Sequence, residues 1–303
     1  VSDQACVINQ HRRHGIKQML KRGEAPLQIG ARAHASQTIS LRSLAPPLIV
    51  GDRMRQSALW IALLCAGCSR SPPSVTPPGA PESAKTNVLE AGARVLQPTG
   101  PVGKLDIYLV GFHPLKDAPD VQMEAHHYCH QVNEDLAQCA LYDSNTDQAN
   151  LTGIEYIISE QLFAQLPEHE RSFWHPHNGE ILSGQLSAPN LPLVAEKELM
   201  RSKLNSYGKT WHTWHSRNGT AAGDALPLGE PMLAWSFNRN GEVQQPLIDQ
   251  RDKLATFSTA QRRANRQDLT PLAKPQHGVD ALRPHFGNAE PIPGVVDAST
   301  PSD

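Results

Sequence analysis

The chain is short of long apolar runs, of cysteine and of an excess of either charge, and each shortage excludes something. Hydrophobic residues make up 39% of the 303 positions, which is low for a chain folded from end to end. The apolar run within residues 54–68 is shorter than the roughly 20 residues that a bilayer-crossing helix needs. A formal net charge of -2 provides no basic face, so no nucleic acid is expected as a partner. Among the five cysteines, Cys65 and Cys68 are the one Cys-x-x-Cys pair. There is no His-Glu-x-x-His, and the Gly-rich residues 219–224 lack the lysine of a phosphate loop.

Proline and histidine are plentiful instead. Most of the 25 prolines lie outside the middle of the chain, so one folded domain of roughly 150–180 residues is expected. That domain is placed at residues 101–266. It is read as α+β, a single domain with a mainly antiparallel sheet and two or three helices, flanked by disordered N- and C-terminal segments. Residues 1–53 read as a non-domain leader, with translation expected to begin at Met54. Residues 54–68 combine a short positive start, an apolar run, small residues and a cysteine, the layout of a secretory signal. The ending Leu64-Cys65-Ala66-Gly67-Cys68 resembles a bacterial lipobox, with Cys65 where leucine is usual. The alternative reading of that run is a short buried helix. On the signal reading Cys68 is lipidated and residues 69–100 form a Pro/Ser-rich tether that stays extended. The expected partner is then a membrane. The expected address is the bacterial cell envelope, as an outer-membrane lipoprotein, because Ser69 is not the aspartate of inner-membrane retention. Residues 267–303 read as an irregular tail.

Within the domain, residues 105–112 are rich in strand formers. Residues 121–130 alternate with period two, which puts Met123, Ala125, His127 and Cys129 on one face and Glu124, His126, Tyr128 and His130 on the other. Asn133-Glu134-Asp135 is a turn signal, with a returning strand over 136–143 and a third strand over 151–158. Helices are expected over 161–166, 168–174 and 194–207, the last stopped by Gly208. Strands are expected over 180–186, 209–215 and 231–237.

The 14 histidines are the one unusual number, and they raise the question of a metal or proton-transfer site. In Phe173-Trp174-His175-Pro176-His177-Asn178-Gly179-Glu180 two imidazoles stand one residue apart, and an extended chain would send both to one side. His175 and His177 are candidate ligands, with Glu180 as ligand or general base, His126 or His127 as a further ligand, and Glu155 and His212 as second candidates. Imidazoles with a carboxylate suit Zn²⁺ or Fe²⁺. Glu155 is the best single candidate for a functional carboxylate, since a charge among Gly153, Ile154, Tyr156 and Ile157 is costly unless paired. The competing reading makes these side chains a polar core, with Trp174, Trp211 and Trp214 beside them. Cys129 and Cys139 flank the turn symmetrically, so a disulfide, two packed thiols and metal ligation all stay open.

Several ordered stretches carry a family resemblance: His126-His127-Tyr128-Cys129, Gln138-Cys139-Ala140-Leu141-Tyr142-Asp143-Ser144, Gly153-Ile154-Glu155-Tyr156, Trp174-His175-Pro176-His177 and Tyr207-Gly208-Lys209-Thr210-Trp211-His212. Over residues 105–252 the chain resembles the oil body-associated protein family, for which the resemblance implies a domain and no reaction. Two function classes follow. One is a non-enzymatic envelope module with a His/Glu-rich polar pocket, binding lipid or a small molecule. The other is a metal-dependent hydrolase or oxygenase using His175, His177 and Glu180.

Overall fold

Runs of β-branched and aromatic residues separated by turn chemistry build an antiparallel sheet. A computed structural model describes residues 75–97, 99–216, 223–255 and 257–299. The leader, the signal segment and Cys68 lie outside the described residues, as does the start of the tether. The first four strands are β1 (Ile107–Leu115), β2 (Ala118–Asn133), β3 (Leu136–Tyr142) and β4 (Leu151–Ile158). They form a meander, and the full sheet order is β1-β2-β3-β4-β6-β5, with β6 at Tyr207–His212 and β5 at His175–Pro176. A two-residue strand β7 (Met232–Leu233) pairs with β6. The β2–β3 hairpin turns where Asn133 Oδ1 accepts the Asp135 backbone N–H at 2.9 Å. Its register sets Cys129 opposite Cys139, and a disulfide joins them.

The fold is the expected α+β domain with a mainly antiparallel sheet, and short helices add to the two or three expected. They are α1 (Ala84–Leu96), α2 (Glu160–Ala164), α3 (Glu168–Arg171), α4 (Asn178–Leu182), α5 (Leu193–Lys203), α6 (Gln245–Ala255) and α7 (Thr259–Asn265). No helix among the described residues is long and apolar enough to cross a membrane. Helix α1 falls in the stretch read as an extended tether. Ser83 caps it by accepting the Thr86 N–H, and none of its residues is buried.

Two further expectations change. Residues 180–186 were expected as a strand, but α4 occupies their start, and every residue of α4 is buried. A short apolar run has no period that separates strand from enclosed helix. The environment decides here: Gln276 Oε1 accepts the Asn178 N–H at 3.0 Å and so satisfies the helix start. The expected strand over 231–237 shrinks to β7, and Trp235 N–H then crosses to Pro114 O at 2.9 Å. The segment from 267 onward is poor in regular structure, with a 3-10 helix at Gln267–Leu272 and a two-residue strand β9 (Glu290–Pro291) paired with β8 (Arg239–Asn240). It is nevertheless part of the core. Leu269, Val279, Ile292 and Val295 pack with Leu109, Leu141, Ile181 and Met200.

Candidate metal centre

The centre assembles across one face of the sheet, with residues from β1, β2, β4, β5 and β6. Glu155 on β4 lies in register with Cys139 on β3 and Thr210 on β6. On β6, Gly208 pairs with His175 of β5. His177 is the N-cap of α4, with helical rather than extended backbone. The two imidazoles still converge, with ring centroids 5.1 Å apart. Three histidine Nε2 atoms surround one carboxylate. His177 lies 3.2 Å and His175 3.6 Å from Glu155 Oε1, and His127 lies 2.9 Å from Oε2. His113 of β1 stands edge-on to His127 at 5.0 Å, and its Nδ1 is 3.1 Å from His212 Nε2. Each of these side chains is at most 3% exposed.

Gly208 is required by close approach. A methyl carbon built on it would lie 2.3 Å from Glu155 Oε1 and 2.6 Å from both His175 Nε2 and His177 Nε2. Three donors therefore face one point. The charge state of the donors follows from their burial. Burial lowers the His175 pKa to about 4 and that of His212 to about 3, and takes His113 well below the ordinary imidazole value, so all three are neutral near pH 7. Burial acts to raise the Glu155 pKa, but the facing imidazoles of His127, His175 and His177 outweigh it and take the pKa well below the ordinary carboxylate value. Burial, with repulsion from Glu155, lifts Glu180 well above the ordinary carboxylate value.

Ser206 settles one tautomer. Its hydroxyl donates to Lys203 O at 2.7 Å, so its oxygen accepts from His177 Nδ1–H at 2.8 Å. With that proton on Nδ1, the uncharged form of His177 turns a bare Nε2 lone pair toward Glu155 Oε1, 3.2 Å away, and a cation placed between them would join the two acceptors. Both ring nitrogens of His175, His127 Nδ1 and Thr210 Oγ1 find no hydrogen-bond partner among the described residues. An unpaired buried polar atom costs about 1–3 kcal/mol, so this set is incomplete as a polar core. A divalent ion with a preference for imidazole, Zn²⁺ or Fe²⁺, fits these donors.

Of the residues singled out in the sequence, His127, Glu155, His175 and His177 come together, and His212 stands one imidazole further out. Glu180 is buried within electrostatic reach of Glu155. His126 goes elsewhere. It faces the other side of β2, with Nδ1 2.7 Å from the Tyr108 hydroxyl and Nε2 3.3 Å from Glu124. His113 was not anticipated; its one signal was a lone histidine inside an apolar strand. A cleft of about 410 Å³ lies beside the centre, lined by Lys116, Arg171, Trp174, Trp235 and His277 among others. The Trp235 ring is 6.0 Å from that of His175, and Lys116 Nζ lies 4.0 Å over the same indole.

Comparison with known proteins places the domain. The family described as protein of unknown function (DUF1264) matches residues 99–270. The chain is 36% identical to oil body-associated protein 1A of Zea mays over 205 residues, which is 68% of this chain and 83% of that protein. It is 36% identical to oil body-associated protein 2A of Arabidopsis thaliana over 192 residues, 63% of this chain and 76% of that one. Oil body-associated protein 1B of Arabidopsis thaliana is 32% identical over 205 residues, 68% of this chain and 82% of its own length. No solved structure matches the chain. These relatives are plant proteins named for oil bodies, and that overturns the bacterial outer-membrane address expected from residues 54–68. A lipobox-like ending is a short pattern of common residues, and it weighs less than a match running through the whole domain. The chain belongs to the oil body-associated protein family.

Proposed function

We propose that the domain is a divalent-metal module that works at the surface of a lipid body, with Glu155, His175 and His177 holding the ion. The observation that carries this reading is the triad itself: one donor atom each from Glu155, His175 and His177 lie within 4.8 Å of one another, with His177 Nε2 3.2 Å and His175 Nε2 3.6 Å from Glu155 Oε1. Metal–donor distances are about 2.0–2.2 Å, so one ion among these atoms can reach all three. Two imidazoles and one carboxylate are a donor set used by Zn²⁺ and non-haem Fe²⁺. Such an ion, when bound with an open position, polarises an oxygen ligand or lowers the pKa of a bound water. The chain supplies the rest. Ser206 keeps the His177 Nε2 lone pair available, Gly208 leaves the space, and Trp174 and Trp235 wall the centre off from the adjoining cleft.

The lipid-surface part of the reading rests on the relatives' names and on α1. Val88, Leu89, Val95 and Leu96 form one apolar stripe on that helix and are 62–83% exposed. This reading keeps the lipid binding and the metal chemistry that the sequence raised and gives up the envelope address.

The test is metal analysis of the purified full chain. At least one Zn or Fe per chain is expected. Metal should be lost in Glu155→Gln, and the content should fall by one ion in the His175→Ala/His177→Ala double variant, each checked for a native circular dichroism spectrum. A chain that carries no metal, takes up none, and melts at the same temperature with and without chelator overturns the reading.

A further inference from the structure

We propose that Glu155 bridges two divalent ions, the second held by Glu155 Oε2, His127 and His113; this rests on the metal reading above. The two carboxylate oxygens are addressed by different imidazoles. Oε1 faces His175 and His177, and Oε2 faces His127. The donors sort the same way. One atom each from Glu155, His175 and His177 lie within 4.8 Å of one another, and so do one atom each from His113, His127 and Glu155. The three atoms nearest the point over Gly208 are those of the first triad, and no nitrogen of His127 is among them. An ion held by the first triad uses Oε1 and leaves Oε2 to the second.

The second triad is prepared like the first. His113 Nδ1 is paired with His212 Nε2. When His113 donates in that bond, its Nε2 is left as a free lone pair, the usual way an outer hydrogen bond fixes a metal-ligating imidazole. His212 is thus a positioning residue and not a ligand. Imidazole-rich donors select Zn²⁺, Fe²⁺ or Co²⁺ over Mg²⁺ or Ca²⁺. Ions bridged in this way sit about 3.5–4 Å apart.

The experiment uses the full chain, stripped with chelator and reloaded with Co²⁺, read by metal content per chain and by anomalous scattering from crystals. Two Co²⁺ per chain about 3.5–4 Å apart are expected. The content should fall to one in His113→Ala, to one in His175→Ala/His177→Ala, and to none in Glu155→Gln. One ion per chain, unchanged in His113→Ala, overturns the second ion and leaves the single-ion reading standing. No bound ion removes both. Should the variants fail to fold, the wild-type map decides alone: a single anomalous peak beside Glu155 sinks the proposal, and a pair flanking it supports it.

Discussion

At the scale of single residues, burial does most of the electrostatic work. His113, His126, His175 and His212 are all held below the ordinary imidazole value, chiefly by burial. Glu124, Glu180 and Glu242 are held above the ordinary carboxylate value, again chiefly by burial. Their effects on stability have opposite signs. An imidazole with a depressed folded pKa gives stability that is full above about 6.5 and lost as pH falls. An acid with a raised folded pKa loses stability as pH rises from about 4.5 toward 7. Between pH 7 and 5 the two sets offset each other, so the metal-free protein should show a nearly flat melting temperature. Below pH 4.5 the three acids are protonated in both states, and the imidazoles still count, together with Glu155, Glu170, Asp268 and Asp297, whose pKa values lie below the ordinary carboxylate value. Each unbalanced proton is worth up to roughly 1.4 kcal/mol per pH unit. A steep loss of stability should therefore set in between pH 4.5 and 3, and calorimetry of chelated protein across pH 3–8 would reveal a different shape if the burial pattern is otherwise. Gly208 offers a second residue-scale test. In Gly208→Ala the new methyl would collide with Glu155 Oε1 and both His Nε2 atoms. Metal content should drop to near zero, with a stability loss of about 1–3 kcal/mol from overpacking. Full metal retention would mean that the donors do not meet over this glycine.

At the scale of elements, α1 stands apart. It is capped and amphipathic, yet it buries none of its residues. Burying a Leu or Val side chain is worth about 1.5–3 kcal/mol. Leu89→Asp/Val95→Asp should therefore cut recovery with phospholipid-coated triacylglycerol droplets by more than tenfold in a flotation assay. The melting temperature should stay unchanged, since nothing in the core touches those side chains. Equal flotation of the variant and the parent would exclude α1 as the contact. Strand β2 makes a different point. Met123, Ala125, His127 and Cys129 share a face, as their alternation implied, but Glu124 and His126 on the other face are buried too. Arg251 of α6, lying 4.4 Å over the ring of Phe112, helps cover that side. Alternation in the sequence separated the two histidines without telling which face held the centre.

At the scale of the whole molecule, the chain closes on itself through its last described residues. Gln276 bonds to both Asn178 N–H and Ser206 O, so the C-terminal segment braces the two residues that flank and orient His177. Leu269, Val279, Leu282, Ile292 and Val295 are buried from the same segment. Five such side chains at about 1.5–3 kcal/mol each are comparable in total with the roughly 5–15 kcal/mol by which a domain is stable. A chain ending at Arg266 should be unfolded or aggregated, by circular dichroism and gel filtration, and a truncated chain with native melting would refute this. The turn-rich backbone of this stretch was readable from its Pro, Gly and Asp. Its packing was not, because scattered apolar residues without a period carry no sign of what they pack against.

The antiparallel meander, the β2–β3 hairpin with Cys129 facing Cys139, and the standing of Glu155 as a charge needing a partner are all legible in the chain alone. They are so because alternation and turn chemistry are local, and residues two apart on a strand share a face whatever surrounds them. Long-range packing settles that His127 and not His126 joins the centre, that His113 belongs with it, that residues 178–182 are helical, and that Gly208 is a space for donor atoms within β6 and not a helix stop. Those outcomes depend on which faces meet across β1, β4, β6 and the C-terminal segment, and contacts between residues a hundred positions apart leave no period in the chain that makes them.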